Sequence, residues 1–483
     1  MGSRLRSAVG AIGQRGLAPL ALVAVVFAAG AAVRIWFVAD YRPAFLGNAD
    51  SQTYAWAAAH DLFHSPVRPA GYPVFLRLVH AVTPHLTYTI VVQHLLGLAT
   101  AGLLYGLLRR VGVSTLLALL AAAVVLFDGM QVFFEHSLMS DTIFEFLVVA
   151  ALYAAVRAID AAPGAWPWLA ASGTLIGLSA TIRTLGAFLV PVLVLWVLLE
   201  RGAMRDRLVR AATSGGVAAG VVVVYLLVQW SSTGVLGLTQ ADGYNIYSRV
   251  APWADCSRFQ PPPGTRVLCD TASPAHRPGG IFYEWEPRSP ATRAFGGMPH
   301  GTDRLAAFSR AAILHQPFDY LEAVGRDLYR YVNPTAFYRE WAGGGPRQAI
   351  EYTTGRQREA QAQPLVAAYW STDGFVRSDR AGLIDYATAM NLPGGPLLAL
   401  VLLAGAAPFI ARGRARRAAA LLAATGVVLL VVPVVSLLYD GRYTLPAYAP
   451  LAGGTALALQ ALVERLRRRG GGGGDAPGPV ASA

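Results

Sequence analysis

The chain contains no lysine at all, so every one of its 40 basic residues is arginine. With that absence goes the phosphate-cradling loop that ends in Gly-Lys-Ser/Thr, and with it the usual nucleotide-hydrolysing enzymes. Cysteine is nearly missing too, with only Cys256 and Cys269 in 483 residues, which excludes a zinc site built of four cysteines. Charge is scarce: 14% of residues are Asp, Glu, Lys or Arg, against the roughly 25% typical of a soluble domain. No repeat of 20–50 residues is visible, which sets aside solenoids and propellers.

What fills the gap is apolar sequence, 54% of the chain. A hydrocarbon core about 30 Å thick takes roughly 20 apolar residues per helix, and ten segments approach that length. They are Leu17–Ala39, Leu86–Leu108, Val113–Phe134, Thr142–Val156, Trp166–Ile182, Leu185–Leu199, Ala211–Trp230, Leu392–Ala411, Ala418–Leu438 and Leu445–Val463. The first resembles a signal peptide, but it runs on to Ala39 without a small-residue cleavage site and reads as a retained span. The expected fold class is all-α, a polytopic membrane protein of about ten transmembrane helices.

The net charge of +12 raises the question of nucleic acid, and topology answers it. With the N-terminus (1–16) on the cytoplasmic side, the inner connections and the two tails carry 18 arginines against five acids. That is the positive-inside pattern of a membrane protein. The long segment 231–391 carries 16 arginines and 15 acids and nearly neutralises itself, so no basic face remains for nucleic acid. This segment divides the chain into an N-terminal membrane module (17–230), an outer domain (231–391) and a C-terminal membrane module (392–463). A Gly- and Pro-containing tail (464–483) reads as disordered. Within the outer domain Asp303–His315 and Phe318–Tyr331 read as helices. Its paired Cys256 and Cys269, facing an oxidising compartment, predict a disulfide rather than a metal site. No metal is expected elsewhere, since His60/His64 and His80/His85 lack a third ligand at firm spacing.

Polar residues near the bilayer cluster toward the outer side. The first outer loop reads Asn48-Ala-Asp50-Ser51-Gln-Thr-Tyr54 and then Arg68-Pro-Ala-Gly71-Tyr72-Pro73. The next outer connection holds Asp128, Glu135-His136 and Ser140-Asp141, with Glu145 one turn on; Arg183 and Asp440-Gly-Arg442-Tyr443 fill two outer turns. Carboxylates from separate loops, set among arginines at a lipid–water boundary, suit transfer from a lipid phosphate. An acid takes a proton from the acceptor hydroxyl while guanidinium groups hold the departing phosphate. Blander readings compete: Asp50 and Asp141 are also ordinary helix-start residues, and Arg68 precedes a simple turn. Arg34 reads as a snorkelling side chain, and Gln93 and His94 as packed hydrogen-bonding residues inside a span.

These motifs resemble the lipid-phosphate-sugar-dependent glycosyltransferases of the GT-C superfamily, which includes protein O-mannosyltransferases and aminoarabinose transferases. The resemblance rests on Asp50-Ser51 with Tyr54, on Arg68 to Pro73, on Ser140-Asp141 and on Arg442-Tyr443 with Pro446. It implies that Asp50 is the catalytic base and that Asp141 assists. Arg68, Tyr72, Glu135, Arg183, Arg442 and Tyr443 are then substrate-binding, around a polyprenyl-phosphate sugar donor and a glycan, lipid or protein acceptor. Some members place two adjacent acids in the first loop; here Ala49 precedes Asp50. The expected reaction is an inverting displacement on the outer face of a bacterial plasma membrane, with both termini cytoplasmic and no cofactor. A polymerase or ligase using a glycan on a lipid diphosphate, and a transporter, are the rival readings. In the outer domain Trp253, Trp285, Trp341 and Trp370 read as core residues of that domain or as rings available to stack on sugars.

Overall fold

The computed structural model describes residues 2–46, 49–63, 65–160, 164–200, 202–333, 356–372 and 374–471. Helices carry nearly all of it. They are α1 (Gly2–Asp40), α2 (Ala49–Ala59), α3 (Gly71–Val82), α4 (Leu86–Arg110), α5 (Thr115–Phe127), α6 (Gly129–Glu135), α7 (Asp141–Asp160), α8 (Trp166–Ile182), α9 (Leu189–Leu198) and α10 (Met204–Thr233). The segment after them forms α11 (Asp242–Val250), α12 (Gly280–Trp285), α13 (Pro290–Phe295), α14 (Thr302–His315), α15 (Pro317–Val332), α16 (Arg356–Tyr369) and α17 (Arg380–Ala389). The chain closes with α18 (Gly395–Ile410), α19 (Gly413–Ser436) and α20 (Leu445–Gly471). Among the described residues one sheet forms, two short antiparallel strands, β1 (Tyr41–Arg42) and β2 (Val376–Arg377).

All ten apolar segments fall on helices, and length and composition single out some of them among the described residues. Five helices are long and apolar enough to span: 18–40 of α1, α4, 141–159 of α7, α10 and α19. A sixth arises if α5 and α6 count as one span bent by 53°. The break has an identifiable cause: Asp128 ends α5 and caps α6, its Oδ1 accepting from the Gln131 amide at 2.8 Å. Its Oδ2 accepts from the Leu392 amide at 3.2 Å, tying the bend to the chain that enters α18.

Small residues set the tightest helix contact. Gly173 and Gly177 lie four apart on α8 and face Ser214 and Ala218 on α10; a Cβ at Gly177 would meet the Ala218 carbonyl at 2.8 Å. Bare glycine lets the two backbones close up, and packing rather than hydrophobic transfer drives association in lipid. The last helix, α20, runs against α4, α5 and α7 and so fastens the C-terminal helices to the N-terminal module.

The segment 231–391 has its own core, built on Tyr244, Tyr247, Tyr283, Leu305 and Phe308, all buried. Cys256 and Cys269 are bonded across 13 residues beside it. The expected helices appear as α14 and α15. Several hydrogen bonds fasten this segment to the helices: Gln240 N to Pro66 O at 2.7 Å, Tyr320 Oη to Val435 O at 2.9 Å, and Ser371 N to Pro84 O at 2.9 Å. Of the tryptophans, Trp370 is buried, Trp253 is half-buried with its indole donating to Arg249 O, and Trp285 is exposed. Trp341 and the tail beyond residue 471 lie outside the described residues.

Candidate active site

Five chain segments meet at one end of the helical bundle. Asp50 occupies the first turn of α2, where a carboxylate also favours the positive helix end. The loop before α2 is stitched to the loop before α7: Phe45 N donates to His136 O at 3.1 Å and Leu138 N to Phe45 O at 3.3 Å. Tyr54, one turn after Asp50, shares a 2.9 Å hydroxyl hydrogen bond with Ser140, so Asp50 and Asp141 are held in one neighbourhood.

Arg68 sits in a turn where Ser65 Oγ accepts from its amide at 3.1 Å, and Tyr225 Oη on α10 accepts from the Ala70 amide at 2.9 Å. Gly71, opening α3, packs so closely on the Thr181 carbonyl that no side chain fits. That contact brings the Arg68 turn to Arg183, which ends α8 in extended backbone. Arg442 lies in the short 3-10 turn between α19 and α20, where Asp440 Oδ1 accepts from its amide at 3.0 Å.

The side chains converge on Asp50. Arg68 Nη2 donates to its Oδ1 at 2.8 Å, and Arg442 Nη2 to its Oδ2 at 2.7 Å. Arg442 Nε also faces Asp440 Oδ2 at 3.2 Å. Arg183 pairs with Asp141, and its guanidinium lies 5.6 Å from the Tyr443 ring, as does that of Arg442. Burial alone would raise the Asp50 carboxyl, but Arg68 and Arg442 outweigh it and hold the group well below the usual carboxylate range. Burial wins at Asp440, which is pushed up to about 6 despite Arg442. Among the described residues, Arg68 Nε, Arg442 Nη1 and Asp141 Oδ2 are buried with no hydrogen-bond partner, two open donors and one open acceptor.

These groups line a cleft with about 610 Å3 of empty space, part of it open to solvent. One wall is polar: Asp50, Tyr54, Arg68, Arg183, Arg442 and Tyr443. The other is apolar, formed by Leu185 and Phe188 before α9 and by Val432, Pro433 and Leu437 at the end of α19. Sequence reading did not pick out that apolar wall, because its residues look like any other part of a span.

Two expected site residues lie elsewhere. Glu135 is fully buried and bound by Arg34, whose Nη2 and Nε meet its two oxygens at 2.7 Å each. The expectation that Arg34 snorkels is therefore corrected: it is 2% exposed and turned inward, because a buried carboxylate holds it there. His94 Nδ1 lies 3.0 Å from the same carboxylate, and its Nε2 is 3.0 Å from His136 Nδ1, which joins the neighbours Glu135 and His136 through one ring. Tyr72 donates to Gln93 Oε1 at 2.6 Å and stacks edge-on to Tyr54, beneath the cleft rather than in it. Gln93 and His94 act inside their helix as hydrogen-bonding residues, and among the described residues no group of three or more His, Cys, Asp or Glu is placed to hold a metal ion.

Residues 67–230 match the family model described as dolichyl-phosphate-mannose-protein mannosyltransferase. The chain matches no curated protein at a significant level. Among solved structures it resembles the Saccharomyces cerevisiae protein O-mannosyltransferase Pmt1-Pmt2 complex bound to the sugar donor, at 17% identity and TM-score 0.36, over 48% of this chain and 36% of that one. It also resembles the Archaeoglobus fulgidus oligosaccharyltransferase AglB in complex with an inhibitory peptide and a dolichol-phosphate, at 12% identity and TM-score 0.44, over 95% of this chain and 52% of that one. The chain thus spans between about a third and about half of the length of these proteins. The family match falls on the segment that holds Arg68, Asp141 and Arg183, and gives independent footing to the chain's resemblance to the lipid-phosphate-sugar-dependent glycosyltransferases of the GT-C superfamily.

Proposed function

We propose that this protein is a membrane glycosyltransferase that moves a sugar from a polyprenyl-phosphate carrier to a hydroxyl-bearing acceptor, at the extracytoplasmic face of the membrane. The observation that carries this reading is the two-walled cleft, in which Arg68, Arg183, Arg442 and the single acid Asp50 share the lining with an apolar wall. A lipid phosphate needs both: guanidinium groups for the phosphate and an apolar surface for the first isoprene units.

With both of its oxygens held by arginine, Asp50 is a poor base. A donor phosphate competes for the same guanidinium groups, and as they turn to it the Asp50 carboxylate regains proton affinity. Asp50 then takes the acceptor's hydroxyl proton as that oxygen attacks the sugar C1, and the C1–O bond breaks with its electron pair passing to the phosphate. Arg442, Arg68 and Arg183 neutralise the charge that gathers there, and Asp141 orients Arg183. Inversion at C1 follows from a single displacement.

The test is transfer by purified protein in lipid nanodiscs, offered radiolabelled polyprenyl-phosphate sugars one at a time, with wild type beside Asp50→Asn. Loss of a general base predicts a fall in kcat of about 10²- to 10⁴-fold with the fold intact. Full activity in Asp50→Asn removes Asp50 as the base. Transfer only from a lipid-diphosphate glycan moves the protein to the polymerase and ligase class.

A further inference from the structure

The outer segment places one acid against the site that nothing above uses. Glu284 lies on α12, where it is 5% exposed and its Oε2 has no hydrogen-bond partner among the described residues. Its position is fixed from several sides. The start of α12 presses on the Ser248 carbonyl and on Leu438, so closely that a Cβ at Gly280 would come within 2.7 Å of that carbonyl. Next to Glu284, the buried Tyr283 donates to Asp270 Oδ2 at 2.6 Å and packs edge-on against Tyr247. Arg68 and Asp50 are the charged groups close enough to act on Glu284, while the Ser248 hydroxyl donates to Asn245 O at 2.8 Å. Burial pushes its carboxyl up to about 7, partly opposed by Arg68.

A buried carboxylate with one open oxygen repels a phosphate, so Glu284 does not belong to the donor's half of the site. The donor phosphate has Arg442, Arg183 and Arg68, and the lipid has the wall at Phe188 and Val432. What remains on the side of the outer segment is the acceptor. Resting on the glycosyl-transfer reading above, we propose that Glu284 is an acceptor-positioning residue, whose Oε2 receives a hydrogen bond from an acceptor hydroxyl and so helps decide which acceptor is used. No bond forms or breaks at Glu284; it orients, and Asp50 takes the proton.

The test uses the full chain in nanodiscs, with radiolabelled polyprenyl-phosphate mannose as donor probe and methyl α-mannoside as acceptor probe. Transfer to the acceptor and release of sugar to water are followed together. Glu284→Gln should leave donor binding within twofold and release to water within threefold, while raising the KM for the acceptor at least tenfold. It should also remove the rise in acceptor KM that wild type shows as pH falls through about 7, where the carboxylate is lost. The Asp440 limb near 6 should stay, and Glu284→Asp should recover part of the acceptor affinity. An unchanged acceptor KM, or a tenfold loss of donor binding, overturns the assignment. If wild type neither transfers nor hydrolyses the donor, the glycosyl-transfer reading fails first. Ligand-detected NMR of methyl α-mannoside then decides on Glu284 separately, equal binding to wild type and Glu284→Gln refuting it.

Discussion

Replacing Arg34 by Met would strip a guanidinium from a carboxylate that is itself fully buried. In the native protein Arg34 meets both oxygens of Glu135 at 2.7 Å and also donates to the carbonyls of Gly30 and Leu126, at 3.0 and 2.9 Å. Removing one member of a buried, hydrogen-bonded pair strands the other, at a loss of about 3–5 kcal/mol. Arg34→Met should destabilise the protein by that amount, read from detergent-driven unfolding in mixed micelles followed by near-UV circular dichroism. The double variant Arg34→Met/Glu135→Met leaves no stranded charge, so its loss should be smaller than the sum of the singles by at least about 2 kcal/mol. A single variant within about 1 kcal/mol of wild type, or a double variant at the sum of the singles, would refute the claim that this pair pins α1 to α6.

Other outcomes follow from the same geometry. Arg442→Lys keeps the charge but loses the fork that spans Asp50 and Asp440, and should lower kcat/KM for the lipid-phosphate donor by about 10- to 100-fold in the transfer assay. Since Asp440 titrates at about 6 and only its carboxylate holds Arg442, transfer should decline as pH falls through 6, and Asp440→Asn should flatten that limb of the rate profile. Phe188→Asp would put a charge on the apolar wall and should weaken binding of long-chain polyprenyl phosphates while sparing short-chain analogues, measured by competition binding. Cys256→Ser opens a short loop and should destabilise the outer segment by about 3 kcal/mol, seen as faster limited proteolysis there with the membrane helices unaffected.

The helices and the polar rim were legible in the sequence for different reasons. Apolar runs such as Leu86–Leu108 and Ala211–Trp230 show as helices because length and composition suffice. Asp50, Arg68, Asp141, Arg183 and Arg442 stood out because a charge near lipid is costly and needs a partner. The pairing of those charges was not legible, since Asp50 and Arg442 are 392 residues apart in sequence and only tertiary packing joins them. Arg34 was misread for the same reason: it seemed a residue near the outer end of a span, and its burial depends on Glu135. Glu284 carried no signal, being one acid among 15 in a nearly neutral segment. The bend at Asp128 was hidden as well, because an apolar run looks continuous whether or not an aspartate caps its second half.

The wide sequence separation within the cleft also bears on synthesis. Asp50 and Arg68 emerge early from the ribosome, but Arg442 enters only after α19 and before the last helix, α20, which locks against α4, α5 and α7. Until α19 and the turn after it are in place, the cleft lacks Arg442 and much of its apolar wall. On the proposed glycosyl-transfer reading, a nascent chain therefore has no complete site before its C-terminal helices are inserted.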